Sequence, residues 1–163
     1  MPKTGTFSTR NDLAAATRGK MAALLNQQLA DTFDLYSQIK QAHWNVKGPQ
    51  FIALHELFDK LAEGVLEHVD EIAERATALG GVAMGTARMA AAGSRLKEFP
   101  SGGVRGPDAV KALAERFAAL GKSTRGAIDA ADKAGDADTA DLFTGVSREL
   151  DKGLWFLEAH VQA

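Results

Sequence analysis

The sequence predicts an all-α protein, and three observations predict it. Four long stretches carry apolar residues at three- and four-residue steps, the period of a helix that packs on one side. The strong breakers fall between those stretches, at Lys47-Gly48-Pro49, Gly80-Gly81, the glycines before Pro107, and Gly135. The composition, 45% apolar and 25% charged over 163 residues, suits one globular domain with a substantial core rather than a disordered chain.

Residues 1–17 read as a flexible tail and residues 18–163 as the helical domain. Thr4, Gly5, Ser8, Thr9 and Asn11 favour turns, and the charges through residue 20 are Lys3, Arg10, Arg18 and Lys20 against Asp12. The first helix runs from about Arg18 to Val46, with Leu24, Leu25, Leu29, Phe33, Tyr36 and Ile39 on its apolar face. The second runs from about Gln50 to Leu79 and is stopped by Gly80-Gly81. Its packing face is Leu57, Phe58, Leu61, Val65, Val69 and Ile72, and its solvent face is Glu56, Glu63, Glu67 and Glu71.

Residues 80–106 form a Gly/Ala-rich connection too long to lack structure or function in a compact domain. A short helix from Gly85 to Ala92 fits within it, with Met84 and Met89 as packing residues. The third helix starts near Pro107-Asp108, where proline has no partner to lose and the acid suits the dipole. It ends near Ala134-Gly135, with Val110, Leu113, Phe117, Leu120 and Ile128 facing inward. The fourth runs from about Thr139 to Val161, with Asp138 as its N-cap. Leu142, Phe143, Val146, Leu150, Leu154, Trp155 and Leu157 form its core face.

Several classes are excluded. There is no cysteine, so no disulfide framework and no thiolate metal site. No apolar run is long enough for a membrane span, and the N-terminus lacks a signal-type apolar segment, so a cytoplasmic location is expected. A net charge of −2 argues against a general nucleic-acid binder; any DNA contact must come from a local basic segment.

The chemistry concentrates between His43 and Glu74. His55/Asp59 and Asp70/Glu74 are each four residues apart, so each pair lies on one face of the second helix. Imidazole with carboxylate suits a borderline divalent ion such as Fe(II), with Zn or Mn as alternatives because the ligand sets overlap. Asp59 and Asp70 are nearly in phase, ~20° apart, yet about 16 Å apart along the axis, too far for one site in one straight helix. A twofold axis near Gly64–Val65 resolves this. Residues whose numbers sum to 129 then face each other, so Asp59 meets Asp70 of the partner subunit and His55 meets the partner's Glu74. Gly64 would sit at the crossing and allow close approach. The expectation is two equivalent metal sites, each shared between two copies of the chain. His43 lies just before the breaker and can face His55 across the groove between the first two helices.

The motif HWNVKGPQFIALHELFD with Asp70 and Glu74, and the C-terminal DADTADLFTGVSRELDKGLWFLEAH, resemble the Dps proteins, the mini-ferritins, from about residue 20 to the end. The resemblance implies a ferritin-like four-helix bundle with a short extra helix between helices two and three, assembled into a hollow dodecamer of twofold dimers. It implies a ferroxidase in which His43, His55, Asp59, Asp70 and Glu74 hold two iron ions per site. Fe(II) is oxidised by hydrogen peroxide or oxygen, and ferric mineral is stored inside. It places Trp44 beside the metal centre and Asp136 and Asp141 at an acidic threefold pore, although capping alone accounts for aspartates in this corner. A basic tail with Lys3, Arg10, Arg18 and Lys20 would bind DNA non-specifically and place the protein in the nucleoid; that is the alternative reading, with iron chemistry secondary. No Glu-x-x-His pair of the kind that builds di-iron sites inside one bundle occurs in the chain.

Overall fold

The computed structural model describes residues 6–162. Five helices follow in order: α1 (Ala15–Asn45), α2 (Phe51–Ala78), α3 (Ala87–Gly93), α4 (Gly106–Lys133) and α5 (Ala137–Glu158). The four long ones form the bundle, and α3 is the short helix expected in the connection. α1 packs chiefly on α2 and α4 chiefly on α5; the two hairpins close on each other through α1 against α4 and α2 against α5. The core lies between them and includes Leu25, Leu29 and Ile39 of α1, Phe58 and Ile72 of α2, Leu113, Phe117 and Leu120 of α4, and Phe143 and Leu150 of α5. Truncating one of these buried phenylalanines to alanine costs about 3–5 kcal/mol in comparable cores.

Helix ends follow local chemistry. α1 starts at Ala15, three residues before the expected Arg18, with no side-chain cap to mark the boundary. Ala15 and Ala16 simply continue a helix that nothing stops. α2 ends in a Schellman turn: Gly80 N–H donates to Thr77 O and Gly81 N–H to Ala76 O, with Gly80 at φ +82°. α4 ends the same way at Gly135, φ +76°. That turn resets the start of α5. The N-cap is Asp136, whose carboxylate accepts from Thr139 N–H at 3.1 Å, and not Asp138, which falls in the first helical turn.

Two departures stand out. Trp155, expected in the core, is 62% exposed. It is five residues beyond buried Leu150, about 140° around the helix, whereas Leu157 is nearly in phase with Leu150. Val46-Lys47 pairs in parallel with Val104-Arg105, tying the end of the first loop to the approach of α4. Neither two-residue strand carries a readable period.

Polar groups of α1 hold the long connection down. Asn26 donates to Val82 O and accepts from Met84 N–H. Buried Asp31 takes the Arg95 backbone N–H and its guanidinium, at 2.6–2.9 Å. Buried Arg116 of α4 donates to Gln38, Lys97 O and Glu98 O. Among the described residues every buried side-chain nitrogen and oxygen has a hydrogen-bond partner. Met89, expected to pack, is 42% exposed.

Candidate metal centre

The loop between α1 and α2 folds the last turn of one helix against the first turns of the other. His43 and His55 are therefore at equal heights, and their rings stack with centroids 3.7 Å apart and planes 19° apart. Each Nδ1 lies against the other residue's backbone: His43 Nδ1 is 2.7 Å from His55 O, and His55 Nδ1 is 2.9 Å from His43 O. A carbonyl oxygen only accepts, so each Nδ1 carries the proton. In the neutral ring this tautomer leaves Nε2 with its lone pair, the form in which imidazole binds a metal ion. The backbone fixes both tautomers before any ion arrives.

Asp59 stands one turn along α2 from His55. Its Oδ1 is 3.9 Å from His43 Nε2 and 2.6 Å from Lys40 Nζ. The Lys40 hydrogen bond, with the Lys40 charge and the two imidazoles, outweighs desolvation and holds the Asp59 carboxyl below its ordinary range. A separation of 3.9 Å is one that a divalent ion about 2.0–2.2 Å from each ligand atom spans.

Asp70 and Glu74 lie farther along the same helix and are exposed. The structure does not bring them to His43, His55 and Asp59 within one chain. Among the described residues, no three histidine or carboxylate side chains of the chain converge to hold an ion. The stripe that carries Asp59 and Asp70 also carries exposed Ile52 (61%) and Leu66 (42%), at steps of seven, seven and four residues. Gly64 is not on this stripe. A Cβ there would meet Glu149 Oε1 of α5 at 3.2 Å, so Gly64 faces α5 within the chain.

Trp44 is 63% exposed, with Lys40 Nζ 5.8 Å from its ring centroid. Asp136 is buried and occupied. Its carboxylate takes the Thr139 N–H and hydroxyl and pairs with Arg75 at 2.6 Å. Burial pushes its pKa up, but the Thr139 hydrogen bonds and Arg75 outweigh this and leave it below the ordinary value. Asp141 is exposed on α5. Of the basic residues near the N-terminus, Lys3 lies outside the described residues, Arg10 and Lys20 are exposed, and Arg18 donates to Asn11 O and Leu13 O. His68 is hydrogen-bonded to Glu71 and His160 to Phe156 O, both away from the stripe. Lys40 is the site residue that sequence reasoning missed; the signal was its position one turn before His43.

Comparison with known proteins agrees with this architecture. Residues 22–163 match the family model described as Ferritin, a ferritin-like domain. The chain is 47% identical to the "DNA protection during starvation protein" of Agrobacterium fabrum, over 96% of this chain and 97% of that one. Among solved structures, DpsC from Streptomyces coelicolor superposes with a TM-score of 0.93 at 32% identity, covering 100% of this chain and 96% of that one. Mycobacterium smegmatis Dps gives 0.92 at 30% identity, covering 97% and 95%. The chain belongs to the Dps family of ferritin-like proteins.

Proposed function

We propose that the protein is a ferroxidase and iron store that protects against oxidative stress, with Fe(II) as its substrate and with catalytic sites shared between two subunits. The observation that carries this reading is the His43–His55 pair, whose Nδ1 protons are tied to backbone carbonyls so that two lone-paired Nε2 atoms are left to bind a cation. One chain supplies His43, His55 and Asp59; the partner's Asp70 and the partner's Glu74 complete each site across a twofold axis. Exposed Ile52 and Leu66 on the same stripe support burial of this face against a second copy.

The neutral imidazoles hold Fe(II) and the carboxylates neutralise Fe(III) as it forms. Two Fe(II) each give one electron to one peroxide. The O–O bond breaks, two protons are taken up and two waters leave, so no hydroxyl radical is released. In this reading the partner's Glu74 would be the carboxylate shared by the two ions. Zn or Mn are the other ions this ligand set accepts. Assembly into a hollow dodecamer in the cytoplasm completes the reading, with Asp141 at the pore mouth; Asp136, committed to capping and to Arg75, acts there by shaping the corner. Among the described residues no helix is long and apolar enough to cross a membrane.

The test is peroxide-driven Fe(II) oxidation by stopped flow. His43→Ala combined with Asp70→Ala abolishes the fast phase and leaves the size of the assembly unchanged. A wild-type rate in that variant defeats the assignment. Protection of DNA, as in the Agrobacterium relative's name, then follows from removing Fe(II) and peroxide. Direct DNA contact would fall to the N-terminal segment, and a gel shift with residues 1–17 removed tests it.

A further inference from the structure

A cavity of about 830 Å³ opens where the α1–α2 loop meets the start of α4. One side of it is set by the short parallel ladder. Val46 and Val104 pair and turn inward, 0% and 7% exposed, while Lys47 and Arg105 pair and turn outward into the cavity lining. Paired residues of neighbouring strands stand about 4.8 Å apart, so two positive side chains leave the backbone side by side. Gly106 holds the arrangement in place. A Cβ there would meet Leu54 Cδ1 at 2.8 Å, so the start of α4 is pressed against α2.

Like charges directly opposite each other on a ladder destabilise it. Nothing nearby in the chain offsets this. Among the described residues neither Lys47 nor Arg105 forms an ion pair. The Lys47 ammonium rests 6.0 Å from the Phe51 ring centroid, and Asp108, the one carboxylate in the cavity lining, pairs with neither cation. A guanidinium fork beside a point-like ammonium suits the oxygens of a phosphate group. The volume is far more than an inorganic phosphate fills and lies within the range of small-molecule sites. Pro49 and Pro107 in the lining offer apolar surface to whatever the phosphate is attached to.

We propose that Lys47 and Arg105 anchor a binding site for a phosphorylated small molecule, with its phosphate on the cation pair and its organic part against the two prolines. The proposal goes beyond the iron chemistry and does not depend on the shared metal site, because every residue it uses belongs to one chain.

The test uses the intact, metal-free oligomer in low-salt buffer, titrated by calorimetry with phenyl phosphate, inorganic phosphate and phenol. Phenyl phosphate binds once per subunit, roughly tenfold or more tighter than inorganic phosphate because its ring is also buried, and phenol does not bind at the same concentrations. Lys47→Gln and Arg105→Gln each weaken phenyl phosphate roughly tenfold or more by removing a charge-assisted contact, and Lys47→Arg retains it. Thermal denaturation is the second readout. Phenyl phosphate raises the wild-type melting temperature and leaves that of the Lys47→Gln/Arg105→Gln double variant unmoved. Without ligand the double variant melts no lower than wild type, since it has lost a like-charge pair. Saturable binding of neither phosphate compound, or wild-type affinity in the double variant, overturns the proposal. Equal affinity for the two phosphate compounds assigns the pair to free phosphate and overturns the organic half of it. A double variant that melts below wild type makes the pair structural and overturns it as well. So does duplex DNA that binds wild type and not the double variant while phenyl phosphate binds neither.

Discussion

The proposed sharing of the site between chains has a quantitative consequence that a site within one chain does not. Consider His43→Ala and Asp70→Ala subunits made separately and then together. Each variant alone has every site damaged, because every site needs one His43 and one Asp70. In a mixed dimer the two lesions fall on the same site, and the other site receives His43 from one chain and Asp70 from its partner, both intact. Random pairing at equal expression makes half the dimers mixed, so about one quarter of all sites recover. The His43 lesion is local. His55 is held by the backbone carbonyl of residue 43, which alanine retains. The assay is the initial rate of peroxide-driven Fe(II) oxidation per subunit, on co-expressed protein of verified composition and size. The expected value is about one quarter of the wild-type rate against near-background rates for either parent. A co-expressed sample no faster than its parents would refute the division of ligands between chains.

Three further outcomes follow from the fold. Asp136→Ala removes the α5 N-cap and the buried partner of Arg75, which keeps only Thr139 and the exposed Asp138, at a cost of about 2–4 kcal/mol by urea titration. Because the folded-state pKa of Asp136 is depressed, its contribution is fully present above the unfolded value near about pH 4 and drains away as pH falls through the lower folded value. The stability gap between wild type and Asp136→Asn therefore closes toward acid, and a gap that widens there contradicts the assignment. Arg116→Met leaves Gln38 Oε1 and the carbonyl of residue 98 without their donor, while the carbonyl of residue 97 keeps only the Gln38 amide. It should cost about 2–4 kcal/mol and speed amide exchange between residues 94 and 99 above that of the bundle. Gly80→Ala strains a φ of +82° and drives a Cβ to 2.6 Å from Phe7 O. A loss of about 1–3 kcal/mol is expected, and unchanged thermal stability would mean that residues 7–9 move away at no cost.

The sequence by itself determined the four long helices, their inward faces and the stop at Gly80-Gly81. Period and breaker chemistry are local, and a helix packed on one side records its packing in every third or fourth residue. It also determined that His55, Asp59, Asp70 and Glu74 share one stripe, since phase along a helix is arithmetic. Tertiary structure decided what phase alone does not. Trp155 lies about 140° around α5 from Leu150, and it is the neighbouring helices, by setting how wide the buried stripe is, that leave that angle outside it. Gly64 faces Glu149 of α5, away from the ligands, because its side of α2 belongs to the other hairpin. Asp136 became a buried cap because the Schellman turn at Gly135 delivers it there. The two features closest to the chemistry, the crossed hydrogen bonds that set both histidine tautomers and the Lys40–Asp59 contact, join residues 12 and 19 positions apart. They depend on how two helices meet across a tight loop, a geometry that no spacing within either helix encodes.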